Sequence, residues 1–350
     1  MPADQPNVLL VTTDQQRFDA AGSQGPSYLR TPHYDMLQRQ GITFTSAYSS
    51  CPICVPARTS IMSGETAQVH GMTGNEPTAD YIGHEETLPG LFNDLGYHTA
   101  LFGKDHFGPS GVRHGFQELV SADRYWRENR DRNQVRHGLG ANEIYPARSS
   151  VPADETVTSW IADQCAEYVR HRRDPTRPFF AWCSFVRPHP PFDPPEPYYS
   201  MYDDAPIPDP VESDWGANSG AESDGEGSDL PPVLQGNGHA TCSVDDPDTL
   251  RKARACYHGL VTQIDYSLGR VFGALSDAGV LDDTLVLYTS DHGEYLGDHG
   301  LQWKTGFHEP SAHVPFVVRL PHDRTDRHAG ATCDAPAQLA DVLPTLVSAA

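Results

Sequence analysis

Asn7-Val8-Leu9-Leu10-Val11-Thr12-Thr13-Asp14 is a short apolar, β-branched run closed by a carboxylate. It reads as a buried parallel strand that delivers Asp14 at its C-terminal edge. The same grammar recurs downstream. Thr99 to Phe102 leads into Gly103-Lys104-Asp105-His106, Pro178 to Val186 leads into Arg187-Pro188-His189, and Thr284 to Thr289 leads into Ser290-Asp291-His292-Gly293. Amphipathic helical patterns lie between these runs. Across Leu250 to Leu275 the residues Ala253, Tyr257, Leu260, Ile264, Leu268, Val271 and Leu275 recur at helical spacing, with Gly279 beyond them as a stop signal. Glu155 to Arg170 and Leu88 to Leu95 follow the same rule. Strands alternating with helices predict an α/β fold, a doubly wound, mostly parallel sheet flanked by helices, in which ligands bind outside the carboxyl ends of the strands. The polar endings fall at that edge.

A chain of 350 residues with 38% hydrophobic content buries a large core, and residues 1–350 read as a single domain. Residues 206–248 break the pattern. They are rich in Pro, Gly, Ser, Asp and Glu and read as an acidic surface insertion. No stretch reaches the roughly 18 consecutive apolar residues of a membrane helix, and no basic region precedes an apolar one at the N-terminus, so a cytoplasmic protein is expected. The net charge of -22 argues against nucleic acid and anionic membranes as partners, since both would repel it. An anionic substrate is repelled too unless cations are concentrated locally. The chain has only three lysines, Lys104, Lys252 and Lys304, and the first and last fall inside motifs. Seven cysteines spread from Cys51 to Cys333 form no dense disulfide framework, which suits a reducing compartment.

Cys51-Pro-Ile-Cys54-Val-Pro-Ala-Arg58-Thr-Ser-Ile-Met-Ser-Gly64 carries the most chemistry. As a CxxC it is half a zinc site or a redox pair. No second ligand pair at suitable spacing supports zinc, and the nearby proline does not suit a dithiol helix. The segment resembles the sulfatase signature Cys-x-Pro-x-Arg, here Cys54-Val55-Pro56-Ala57-Arg58, within the alkaline phosphatase superfamily. In that family the signature directs oxidation of the cysteine to formylglycine. Its continuation through Thr59, Ser60 and Gly64 runs into a helix whose N-terminal amides favour an anion at Cys54. The other motifs follow in the family's order: Asp14-Gln15, Lys104-x-His106, Pro188-His189-Pro190-Pro191, Asp291-His292-Gly293, and Lys304 at the end of Gly297-Asp298-His299-Gly300-Leu301-Gln302-Trp303-Lys304. With 17 histidines in the chain, only this combination selects His106, His189 and His292.

The resemblance implies an alkaline phosphatase-like fold and hydrolysis of a small sulfated substrate. A formylglycine-generating enzyme would be needed to mature Cys54. One divalent metal would be held by Asp14, Asp291, His292, residue 54 and Gln15, the last either ligating through its amide oxygen or supporting Asp14. Ca²⁺ fits the oxygen-rich set first, and Mg²⁺ and Mn²⁺ are also accommodated. Arg58 would hold the hydrated aldehyde and Lys104 and Lys304 the sulfate oxygens. His189, helped by Lys304, would protonate the leaving group, and His106 would deprotonate the second hydroxyl. Family members usually continue past Asp341-Val-Leu-Pro-Thr-Leu346 into a smaller C-terminal subdomain, which is expected to be missing here. Two other functions keep the same motifs: a phosphonate or phosphate ester hydrolase of the superfamily, and a non-catalytic sulfatase-like binding protein.

Overall fold

The four strand-like runs form strands in a computed structural model that describes residues 5–75, 87–107, 112–129, 145–213, 246–321 and 328–350. They are β1 (Asn7–Asp14), β4 (His98–Gly103), β6 (Phe179–Pro188) and β7 (Thr284–Ser290). Four further strands join them: β2 (Ile42–Phe44), β5 (Glu118–Ser121), β8 (Phe316–Arg319) and β9 (Ala331–Cys333), while β3 (Ala47–Tyr48) pairs separately with β10 (Ala337–Gln338). The eight lie in the order β5-β4-β6-β1-β7-β8-β2-β9. From β5 to β7 every pairing is parallel; β8 runs antiparallel to both its neighbours, and β9 is parallel to β2. The sheet is therefore mixed but mostly parallel, as its apolar runs predict.

Helices cover both faces. Their ranges are α1 (Pro32–Gln40), α2 (Cys54–Ser63), α3 (Ala67–His70), α4 (Leu88–Asp94), α5 (Ala122–Glu128), α6 (Val157–Glu167), α7 (Pro247–Asp277) and α8 (Glu309–Ala312), followed by the helix Val342–Ala349. β1 shows how alternation divides the core. Leu9 and Val11 pack with Leu37 of α1, Ile161 of α6 and Leu268 of α7, whereas Val8 and Leu10 pack with Ile61 of α2, Phe92 of α4 and Leu346. All four β1 side chains are fully buried, each stabilising the sandwich by about 1.5–3 kcal/mol. This explains the unbroken apolar run, since neither face of the strand meets water.

The long helix α7 buries every residue of its expected stripe and is capped by the side chain of Asp246, which accepts from the Thr249 amide at 3.0 Å. Gly279, at φ +65°, ends the turn that follows. Of the expected insertion 206–248, residues 214–245 lie outside the described residues. At its far boundary Pro247 and Asp248 already belong to the first turn of α7, because the Asp246 cap with proline behind it starts the helix there. Among the described residues no helix is long and apolar enough to cross a membrane.

Candidate active site

Four adjacent strands, β4, β6, β1 and β7, end on one edge of the sheet, and each hands over a polar residue there. Backbone hydrogen bonds tie these endings together: His189 N–H donates to Asp14 O at 3.0 Å, Lys104 N–H to Ser184 O at 2.8 Å, and Asp291 N–H to Thr13 O at 3.3 Å. Gly103 makes the β4 ending possible. It sits at φ +114°, and a Cβ there would come within 1.9 Å of Ser184 O. Gln15, just past β1, is also left-handed at φ +73°, an uncommon state for a residue with a side chain. Its carbonyl accepts from Tyr257 Oη at 2.7 Å and its amide donates to Asp291 Oδ1 at 3.1 Å, which together hold the bend.

Cys54 is the first residue of α2, and Ile53 before it is extended, so the thiol stands at the positive end of the helix. Gly64, left-handed at φ +70°, closes the helix where the motif ends. The Cys54 Sγ lies 3.3 Å from His292 Nε2 and 3.8 Å from Asp14 Oδ1. His292 Nε2 is in turn 3.7 Å from Asp14 Oδ1 and 3.6 Å from Asp291 Oδ1. All four residues are buried, and their ligand atoms lie within 4.8 Å of one another. An ion with ~2.4 Å bonds at right angles would separate neighbouring donors by about 3.4 Å, so this spacing fits a divalent cation at the centre. His292 is prepared for that role. Its Nδ1 donates to Gly293 O at 3.0 Å, which leaves the Nε2 lone pair facing the other donors.

The electrostatics follow from this crowding. Burial opposes ionisation of Cys54, yet Lys104, Lys304 and His292, together with a hydrogen bond from His106, pull the thiol well below its ordinary value. Burial also pushes Asp14 upward, but its ion pair with Lys104 outweighs that and holds the carboxyl below the usual range. Asp291 goes the other way. Burial and the neighbouring Asp14 raise it, because two carboxylates share the space.

Each residue singled out from the sequence reaches this edge. His106 is exposed but hydrogen-bonds Cys54. Lys304 Nζ donates to Gln15 Oε1 at 2.7 Å and meets His189 Nε2 at 3.2 Å, while His189 Nδ1 donates to Pro190 O at 2.9 Å. Arg58 is wholly buried between the rings of Phe107 and Trp182. It donates to Lys104 O and Ser184 Oγ, both at 2.6 Å, and more distantly to Asp291 Oδ2 at 3.5 Å. Among the described residues its Nε has no hydrogen-bond partner, which leaves one spare donor. The CxxC forms no disulfide; Cys51 and Cys54 are both free thiols.

The sequence reading passed over Ser184, Tyr257 as a hydrogen-bonding group, and Glu294. Ser184 and Tyr257 sit inside apolar patterns, which hide a hydroxyl. Glu294 carried a signal, since it directly follows Asp291-His292-Gly293. It is fully buried and accepts from Gln15 Nε2, from Leu296 N–H at 3.1 Å and from Trp303 N–H.

Comparison with known proteins places these residues in a family. The sulfatase family model matches residues 6–350. An arylsulfatase of Clostridium perfringens is 32% identical over 98% of this chain and 74% of its own length. A multifunctional alkaline phosphatase superfamily protein of Trinickia caryophylli is 29% identical, covering 97% of this chain and 73% of that protein. Among solved structures, the phosphonate monoester hydrolase of Agrobacterium radiobacter superposes with a TM-score of 0.81 at 28% identity, over 98% of this chain and 73% of that one.

Proposed function

Because the chain belongs to the sulfatase family, we propose that it hydrolyses sulfate esters, R–O–SO₃⁻ plus water giving R–OH and sulfate, with residue 54 as the nucleophile. The observation that carries the reading is the setting of Cys54, a buried thiol at a helix N-terminus, ringed by two carboxylates and an imidazole and drawn toward its anion by two of the chain's three lysines. Conversion of Cys54 to formylglycine would supply, as the hydrate, one hydroxyl to attack sulfur and a second to release the product. Asp14, Asp291 and His292, with residue 54, would hold a divalent ion, Ca²⁺ by the hardness of the donors; Gln15, whose amide oxygen accepts from the Lys304 ammonium, would support Asp14 and not ligate. The ion would supply Lewis-acid neutralisation of the sulfate charge.

The chain's own groups account for the rest. Lys104 and Lys304 would neutralise sulfate oxygens, the task for which a protein of net charge -22 most needs local cations. His189 would hand a proton to the departing oxygen. Lys304 sits at its Nε2 and lends positive charge there, while the Nδ1 bond to Pro190 O fixes the ring. Arg58, with its spare Nε–H, would steady residue 54, and His106 would take a proton from it.

A second reading has its own observation. The structural likeness to a phosphonate monoester hydrolase supports hydrolysis of a phosphonate or phosphate ester at the same centre. Mass spectrometry of the Cys54 peptide, from protein made with a formylglycine-generating enzyme, tests maturation by the exchange of –CH₂SH for –CHO. Parallel rates on an aryl sulfate and an aryl phosphonate then decide the substrate. A faster sulfate rate is expected, and a faster phosphonate rate would replace the first reading with the second.

A further inference from the structure

Glu294 offers its carboxylate to three N–H donors. Two are backbone groups of the Lys304 loop, at Leu296 and Trp303, and the third is Gln15 Nε2 at the end of β1. The Gln15 amide is thereby given a direction. Lys304 presents an ammonium, which only donates, so it must face the Gln15 oxygen; Glu294 presents oxygens to donors, so it must face the nitrogen. The loop is also bent sharply at this point. Trp303 and Thr305, on either side of Lys304, both have left-handed backbones at φ +67° and +84°.

We propose that Glu294 is a positioning residue: by clamping the Trp303 amide and fixing the Gln15 amide, it holds the Lys304 ammonium between Gln15 and His189. The inference rests on the reading in which Lys304 and His189 serve the leaving group. Glu294 acts through Gln15 and Lys304 and contacts neither residue 54 nor His189 in the hydrogen-bond network described above.

The test is an exchange of two side chains. In Glu294→Gln the amide oxygen keeps the two backbone donors, so the new NH₂ confronts Gln15 Nε2. Gln15 must turn over, and it then points its own NH₂ at Lys304. Gln15→Glu alone sets two carboxylates against each other. The double variant Gln15→Glu/Glu294→Gln restores one donor, one acceptor and the original charge, and leaves an oxygen toward Lys304. Two readouts are needed. With the aryl sulfate, Glu294→Gln is expected to lower kcat by about 10- to 100-fold with KM changed less than about 3-fold, as misplacement of a reacting group by a fraction of an ångström does. The double variant should recover most of that loss, because coupled sites are not additive. Independently of turnover, the three lysines give three ammonium ¹⁵N signals. Glu294→Gln should move that of Lys304, the double variant should return it, and Lys252 should stay unmoved.

A Lys304 signal indifferent to Glu294→Gln overturns the inference whatever the kinetics show. A moved signal with kcat within about 2-fold of wild type overturns the positioning role, since displacing the group would then cost nothing. If the wild-type protein turns over neither ester, the proposed function fails, and with it the catalytic half of this inference, whereas the lysine signals still decide the structural half. Comparison of Gln15→Glu with the double variant carries the same test if Glu294→Gln does not fold.

Discussion

Two charge clusters border the C-terminal edge of the sheet, and they are built to opposite rules. In the first, Arg17 grips Asp19 with two 2.7 Å bonds, donates to Asp298 at 2.7 Å, and shares Asp298 with Arg254 at 3.2 Å. The Val211 amide fills the same Asp298 oxygen that Arg254 reaches, at 2.9 Å. Two guanidinium groups meet two carboxylates, so charge and hydrogen-bonding capacity both close. In the second, Asp14, Asp291 and the acidified Cys54 thiol crowd one imidazole; among the described residues Lys104 pairs with Asp14, and Arg58 reaches Asp291 at 3.5 Å. The ligand atoms of Asp14, Cys54, Asp291 and His292 converge within 4.8 Å of one another instead of being paired off one by one. A cluster that neutralises itself does structural work and resists change; a cluster whose ligand atoms converge on one point keeps a place for a cation and for chemistry.

The most damaging way to probe the contrast is to remove the centre of the second cluster. Cys54→Ala, measured against matured wild-type protein, should cut kcat on an aryl sulfate by at least about 10³-fold. Its melting temperature should stay within a few degrees of wild type, because the thiol's neighbours are held by other bonds. Retention of a tenth of wild-type turnover would remove residue 54 from the reaction. The converse change falls on the first cluster. Asp298→Ala takes the shared carboxylate from the buried Arg254 and leaves Arg17 with Asp19 alone, and should lower unfolding free energy by about 3–5 kcal/mol in urea denaturation. A loss below about 1 kcal/mol would mean that the closed network does not stabilise the fold.

A cation sharpens the distinction without a mutation. Because the second cluster gathers four ligand atoms around one point, Ca²⁺ at about 100 times its Kd should stabilise the protein by about 2.7 kcal/mol, and a chelator should reverse this. Asp291→Asn, which takes away one donor charge, should abolish most of that gain, and Asp298→Ala should preserve it. Equal loss in both variants would place the ion's stabilising effect elsewhere.

How much of this was legible in the sequence depends on where a residue sits. Residues at strand ends announced themselves, because an apolar run that stops at Asp14, Lys104, His189 or Asp291 has no packing reason to stop on those types. The parallel half of the sheet was readable for the same reason. The β8-β2-β9 side was not: its strands are three or four residues long, and their pairing is set by contacts far apart in sequence, such as Ile42 with Val318. Inside the site, Arg58 was legible by motif, but its partners Ser184 and the Lys104 carbonyl were not, since both are chosen by the sheet's register. By its spacing Tyr257 reads as core. It is core, and its hydroxyl also braces the Gln15 bend, a second duty that periodicity cannot report.

His258 separates the two clusters most finely, because it borders the balanced one and is itself left uncharged. It is buried beside Arg254, 3.4 Å from Tyr28 Oη through Nδ1, and among the rings of Tyr28, Tyr202 and Tyr257. Burial, reinforced by Arg254, pushes its imidazole down to about 3. The folded protein therefore keeps His258 neutral where the unfolded chain, titrating near 6.5, accepts a proton. Between those two values the unfolded state binds more protons, so this residue's contribution is complete above pH 6.5 and is lost progressively as pH falls toward 3. His258→Phe keeps the aromatic packing and removes the titration. At pH 7 it should cost only the weak Tyr28 hydrogen bond, whereas below about pH 6 the variant should gain on wild type by up to about 1.4 kcal/mol per pH unit in urea denaturation. Parallel stability curves for the two proteins from pH 7 to 4 would show that His258 is protonated in the fold, and that the closed cluster beside it accommodates one more positive charge than its carboxylates balance.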